Sequence, residues 1–155
     1  MAYMSGRSKG FSLVELIIVI ALATILMAIA APSIISQLSH LRLTRTVRDV
    51  ATELNAARLK AIAQNTSFRV DFSGGTYNLW IYSGGAWVDY PTRGQGELGA
   101  GIDITSPGDT FSVQFYTNGA ATATTICVNN TQKSDDRMQI NVTGTTGMIT
   151  VSQGC

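Results

Sequence analysis

From Phe11 to Ala31 the chain reads FSLVELIIVIALATILMAIAA, an apolar run broken by a single charge, Glu15. At 1.5 Å per residue such a helix spans a bilayer core of about 30 Å. Arg7 and Lys9 precede the run with no acid beside them, so the excess of positive charge predicts a cytoplasmic N-terminus and places everything after Ala31 outside. A secretory signal peptide is the competing reading. Ala28-Ile29-Ala30 loosely fits a small-x-small cleavage site, but a signal peptide has a shorter apolar core, and here helical periodicity continues past the site.

Glu15 is the anomaly. An ionised carboxylate inside an apolar helix costs about 2.5 to 3.5 kcal/mol near the helix centre on insertion scales. The helix macrodipole offsets a little of this near an N-terminus, and a cationic partner would offset far more. A cut just before Phe11 would create that cation, a new α-amino group on the same helix or on a neighbouring one.

Lys9-Gly10-Phe11-Ser12-Leu13-Val14-Glu15 followed by apolar helix resembles the leader of type IV pilins and type II secretion pseudopilins. The resemblance implies cleavage between Gly10 and Phe11 by a membrane prepilin peptidase, N-methylation of Phe11, and a role for Glu15 in assembly. Pro32 stands where many members of that family carry a proline, and it removes one helix hydrogen bond. An ordinary single-span anchor with an accidental acid is the alternative. The leader counts ten residues from Met1 and seven from Met4, which leaves Met4 open as the start.

Beyond Pro32, Leu43, Val47, Val50, Leu54, Ala57 and Ala61 recur at alternating spacings of four and three, one apolar stripe that should pack against a domain. Arg45, Arg48, Asp49, Thr52, Glu53 and Lys60 are assigned to the opposite face, with Arg45 and Asp49 one turn apart and able to pair weakly. Arg42, Arg45 and Arg48 could also meet phosphates of lipid head groups or DNA. From Thr66 the period changes to two, with Phe68, Val70 and Phe72 alternating with polar residues up to Gly74-Gly75. Further strands are predicted over Tyr77–Tyr82, Ala86–Tyr90, Thr110–Tyr116, Thr124–Asn129, Met138–Thr143 and Met148–Ser152, separated by glycine-rich turns. The stretch from Pro91 to Gly101 lacks periodicity and reads as a loop. Its glycines precede no helix, so they cradle no phosphate.

Trp80, Trp87, Tyr82 and Tyr90 read as core or cross-strand pairs in a small sheet, with a stacking platform for bases or sugars as the alternative. His40 stands alone in the sequence, no catalytic motif occurs, and the acids are scattered, so neither an enzyme nor a cofactor is expected. Asp135-Asp136 reads as part of a solvated turn from Asn129 to Arg137. A calcium site there lacks further carboxylates at ligand spacing. Two thiols and one His cannot close a zinc site. Cys127 and Cys155 are therefore expected to form a disulfide worth roughly 3 kcal/mol if the domain faces an oxidising periplasm, with two free thiols as the alternative.

Glu53 to Asn65, Phe115 to Ala120 and Ile140 to Val151 resemble, in turn, the helix end, the mid-domain hairpin and the closing hairpin of the GspH/FimT family of minor pseudopilins and minor pilins. This resemblance implies an α+β, type IV pilin-like fold. Leader (1–10), membrane helix (11–31), amphipathic helical continuation (32–65) and β-rich domain (66–155) would follow in that order. It also implies an inner-membrane, single-pass subunit with a periplasmic domain. Its partners would be other pilin or pseudopilin subunits, the prepilin peptidase, the inner-membrane assembly platform and the lipid bilayer. A major pilin and a DNA-uptake subunit are the alternatives. DNA is not expected as a partner, because no Lys or Arg occurs between Thr143 and Cys155, whereas DNA-uptake members of the family carry a basic C-terminal tail.

Overall fold

The computed structural model describes residues 11–90 and 95–155, with the side chains of 29–36 outside the described set. Its elements are one helix, α1 (Leu13–Ala63), followed by β1 (Phe68–Ser73), β2 (Thr76–Ser83), β3 (Ala86–Asp89), β4 (Gly96–Glu97), β5 (Ile102–Ser106), β6 (Thr110–Phe115), β7 (Thr124–Asn130), β8 (Lys133–Val142) and β9 (Ile149–Gln153). The chain divides into two compact units, 1–37 and 38–155. In the first, the described part is helix from Leu13 onward. Among the described residues no helix is long and apolar enough to cross a membrane. The apolar stretch read from the sequence runs on into residues whose side chains are not described.

In the second unit the stripe predicted from periodicity is the helical half of the core: Leu43, Val47, Val50, Leu54, Ala57 and Ala61 are all fully buried. One residue assigned to the opposite face is buried with them, since Glu53 is only 6% exposed. At 100° per residue position 53 lies within about 60° of both Val50 and Ala57, inside the stripe. Thr46 and Ser39 are buried for the same reason, each four residues before an apolar stripe position. The helix stops at a Schellman-type cap. Asn65 takes the left-handed conformation (φ 48°), and the Thr66 N–H donates to the Ala61 carbonyl at 3.3 Å.

Two antiparallel sheets supply the rest of the core. The first has the order β3-β2-β1-β6, with β4 added to β2, and the second has the order β5-β7-β8-β9. Gly74-Gly75 and Gly84-Gly85 all have positive φ, which two-residue hairpin turns demand, and they join β1 to β2 and β2 to β3. The register places Phe68, Val70 and Phe72 opposite Ile81, Leu79 and Tyr77 on one side and opposite Phe115, Val113 and Phe111 on the other. These inward residues join Ile102, Ile104, Ile126, Val128, Ile140 and Val142 from the second sheet in one core with the helix stripe.

Three strand assignments differ from the sequence reading. The glycine-rich stretch read as a loop contains β4, where Gly96 pairs with Tyr77. A Cβ at Gly96 would collide with the Tyr77 ring, so the glycine admits the strand. β5 was not predicted. Its alternation is only Ile102 and Ile104, and its register shifts between Ile104 and Ser106. The stretch Asn129 to Arg137 is not a solvated turn but the end of β7 and the beginning of β8, with Asn130 paired to Lys133 and a register shift at Asn129/Asn130. Polar side chains hid the pairing because alternating burial starts only at Met138.

Candidate functional site

The first unit presents its apolar residues outward. Phe11 is 82% exposed, and Leu13, Val14, Leu16 to Ile20, Leu22 and Ile25 to Met27 are each more than half exposed. A helix that is apolar all round is made to be covered by lipid or by other helices. The backbone begins its helical bonding where the Leu16 N–H donates to the Ser12 carbonyl at 3.2 Å. Glu15 therefore lies in the first turn of α1, with its side chain exposed. Gly10 lies outside the described residues.

His40, which stands alone in the sequence, has a partner in the fold. Its Nδ1 lies 2.8 Å from an Asp136 carboxylate oxygen. Asp136 is 11% exposed at its side chain. It also accepts a hydrogen bond from the Asn130 amide at 3.3 Å, and Asn130 is almost fully buried. The acid read as part of a solvated turn thus ties the helix to the β7–β8 hairpin. Nothing in the local sequence could reveal this, because the two residues are 96 apart. Arg45 and Asp49 pair at 4.0 Å, both well exposed, a contact of little energetic weight. Among the described residues no cluster of three metal-ligating side chains occurs.

The tryptophans are not core. β2 turns Tyr77, Leu79 and Ile81 toward the helix and Trp80 and Tyr82 away from it, as alternation requires. On that outer face Arg69 lies over Trp87 at 4.6 Å and over Trp80 at 5.9 Å. Its guanidinium is held by Asp71, with Nε to Oδ1 and Nη2 to Oδ2 both 2.7 Å. Tyr82 and Trp87 form the expected cross-strand pair, edge to face at 5.3 Å. Tyr90 does pack on the core, edge-on to Phe68 at 5.3 Å and with the Lys60 ammonium 4.3 Å from its ring centre.

Cys127 on β7 and Cys155 after β9 form a disulfide, with Cα atoms 5.9 Å apart. β9 is otherwise held by its ladder to β8, because apart from Ile149 its side chains are exposed.

The comparisons with known proteins agree with this architecture. Residues 5–31 match the prokaryotic N-terminal methylation motif, and residues 46–146 match the family described as type II transport protein GspH. The type II secretion system protein H of Xanthomonas campestris pv. campestris is 27% identical over 143 residues, covering 91% of this chain and 81% of that protein. Among solved structures, the minor pseudopilin EpsH from the Vibrio cholerae type 2 secretion system superposes with a TM-score of 0.60 at 13% identity, over 72% of this chain and 97% of that one. The type IV minor pilin FimU of Pseudomonas aeruginosa gives 0.59 at 18% identity, over 71% and 87%. At such identities the two structures attest the fold, a pilin-like helix on antiparallel sheets. The match over 46–146 spans more than half of the sequence, and the chain belongs to the GspH family of type II transport proteins.

Proposed function

We propose that this chain is a structural subunit, a minor pseudopilin or minor pilin, and not an enzyme. It is cut between Gly10 and Phe11 by a prepilin peptidase, methylated on Phe11, and held in the inner membrane by 11–31 with its β-domain in the periplasm. An assembly platform then moves it into a filament, the helix inside and the β-domain outside. One observation carries the reading: the second unit closes its own core with the stripe from Leu43 to Ala61, while the apolar residues from Leu13 to Met27 stay exposed around a single carboxylate. A helix left over in this way needs lipid first and other helices later. In lipid, Glu15 needs a cation, and the Phe11 amine of a neighbouring subunit supplies one.

The test is Glu15→Ala. Processing is expected to continue, with the mature form present in membranes, while co-assembly with the other pilins is lost. Unimpaired recovery of the variant in sheared filaments would refute the assigned role.

A further inference from the structure

A cavity of about 270 Å³ opens between α1 and the segment that follows β4. Helical periodicity brings Arg42, Arg45, Thr46 and Asp49 to one wall, since residues three, four and seven apart share a face. Glu97 and Gly99 line the other wall. That second wall is held before any ligand arrives. Glu97 pairs in register with Thr76, the Leu98 N–H donates to the Gly75 carbonyl at 2.8 Å, and the Gly99 N–H donates to Thr46 Oγ1 at 3.2 Å. A Cβ at Gly99 would lie 2.7 Å from the same Oγ1, so the glycine lets the segment come down onto the helix. A wall fixed in this way loses little freedom on binding.

The charges of the cavity are not satisfied within it. Among the described residues no acid pairs with Arg42 and no base pairs with Glu97. Arg45 and Asp49 meet only at 4.0 Å, both well exposed. Thr46 is 5% exposed. Its Oγ1 accepts from Gly99, and among the described residues nothing accepts its own O–H proton. The cavity therefore offers two guanidinium groups and a buried hydroxyl donor to an anion, and two carboxylates to a cation. Because the Gly99 N–H is already donated, the glycines of this stretch give an anion no backbone cradle, and the guanidinium groups must hold it. The acids decide what else the ligand carries. Asp49 and Glu97 repel a bare polyanion, whereas a molecule with its own ammonium group is matched at both ends.

We propose that this cavity binds a phosphoethanolamine group. The phosphate lies between Arg42 and Arg45, with the Thr46 O–H donating to one of its oxygens, and the ammonium lies between Asp49 and Glu97. A carboxylate is filled by a single guanidinium fork, whereas a phosphate has oxygens for two. A primary ammonium brings three N–H donors, enough for both acids. A quaternary ammonium brings none. The group exists as a free molecule and as a lipid head group, and the cavity reads only the part common to both. The site does not depend on the subunit role proposed above, because every residue in it lies in the second unit.

The experiment follows amide shifts of the full chain by NMR in non-ionic micelles and phosphate-free buffer, with phosphoethanolamine as the probe. Saturable shifts of Thr46 and Gly99 are expected at millimolar probe, the range for so small a ligand at an open site. Arg42→Gln and Glu97→Gln alter exposed side chains and keep the fold. Each should weaken binding about tenfold, the effect of losing one charge-assisted contact. Phosphocholine should bind about tenfold more weakly than phosphoethanolamine, and Glu97→Gln should narrow that gap to about threefold or less. No saturable shift in the native chain, or unaltered binding in Arg42→Gln, overturns the site. Inorganic phosphate binding as tightly as phosphoethanolamine, or an unchanged gap to phosphocholine in Glu97→Gln, overturns the choice of ligand. A second arm separates the two sources. Micelles doped with lysophosphatidylethanolamine shift the same amides without soluble probe if the lipid head group reaches the cavity, and leave them unmoved if only the free molecule does. None of these results bears on Glu15, so failure of the site and failure of the subunit reading remain distinct.

Discussion

Replacing both cysteines by serine, Cys127→Ser with Cys155→Ser, should lower stability without altering the native core. The bond joins residues 28 apart in sequence. In the chain-entropy account, closing a loop of that length removes about 12 cal/mol/K from the unfolded ensemble, or about 3.5 kcal/mol at 25 °C. Little native packing is at stake. Cys155 is exposed, and β9 buries hardly any side chain beyond Ile149, so most of the effect lies in the unfolded state. With a urea slope of about 1.5 kcal/mol/M, the midpoint should fall by roughly 2 M and the slope should stay nearly constant. Trp80 and Trp87 are the only tryptophans and both lie in the β-domain, so their fluorescence reports the unfolding of that domain in the full chain. The native protein under reductant should behave as the serine variant does. A shift below about 0.5 M would refute the loop-entropy argument. A clear fall in the slope would show instead that β9 had already detached in the native state.

Four further outcomes are expected. Gly10→Ala should block cleavage, so that only the unprocessed form is seen on immunoblots, and normal maturation would remove the leader assignment. Asp136→Ala leaves the buried Asn130 amide without its partner and should cost about 1 to 3 kcal/mol in urea unfolding. His40→Ala should cost less, because Asn130 keeps Asp136, and the reverse order would contradict the bonding described here. The domain should show no micromolar, salt-sensitive shift of DNA in a gel at low ionic strength, since Lys133 and Arg137 are offset by Asp135 and Asp136 and no cation follows them.

Periodicity alone found the helical stripe, because 3.6-residue spacing is a local property and all six positions proved fully buried. It misplaced Glu53 through a coarse division of the helix into two faces, although the angle to Val50 and Ala57 was available from numbering. The double-glycine turns marked the first two hairpins, because only positive φ closes a two-residue loop. β5 and the first half of β8 were not legible. Their pairing comes from β7, and strands whose partners lie elsewhere in the chain need not carry an alternating pattern of their own.

The sequence by itself determined that an apolar run with one carboxylate precedes an α+β domain and that Lys9 to Glu15 has the form of a processing site, and it favoured a Cys127–Cys155 disulfide while leaving two free thiols open. These follow from local order: hydropathy, spacing and residue type. Only the tertiary structure decided that Asp136 is held by His40 and Asn130, that Arg69 caps the outward tryptophans, and that β9 ends the second sheet. Each of these depends on which distant residues the two sheets bring together, and partner choice across a sheet is set by the packing of the whole core rather than by any stretch of the chain.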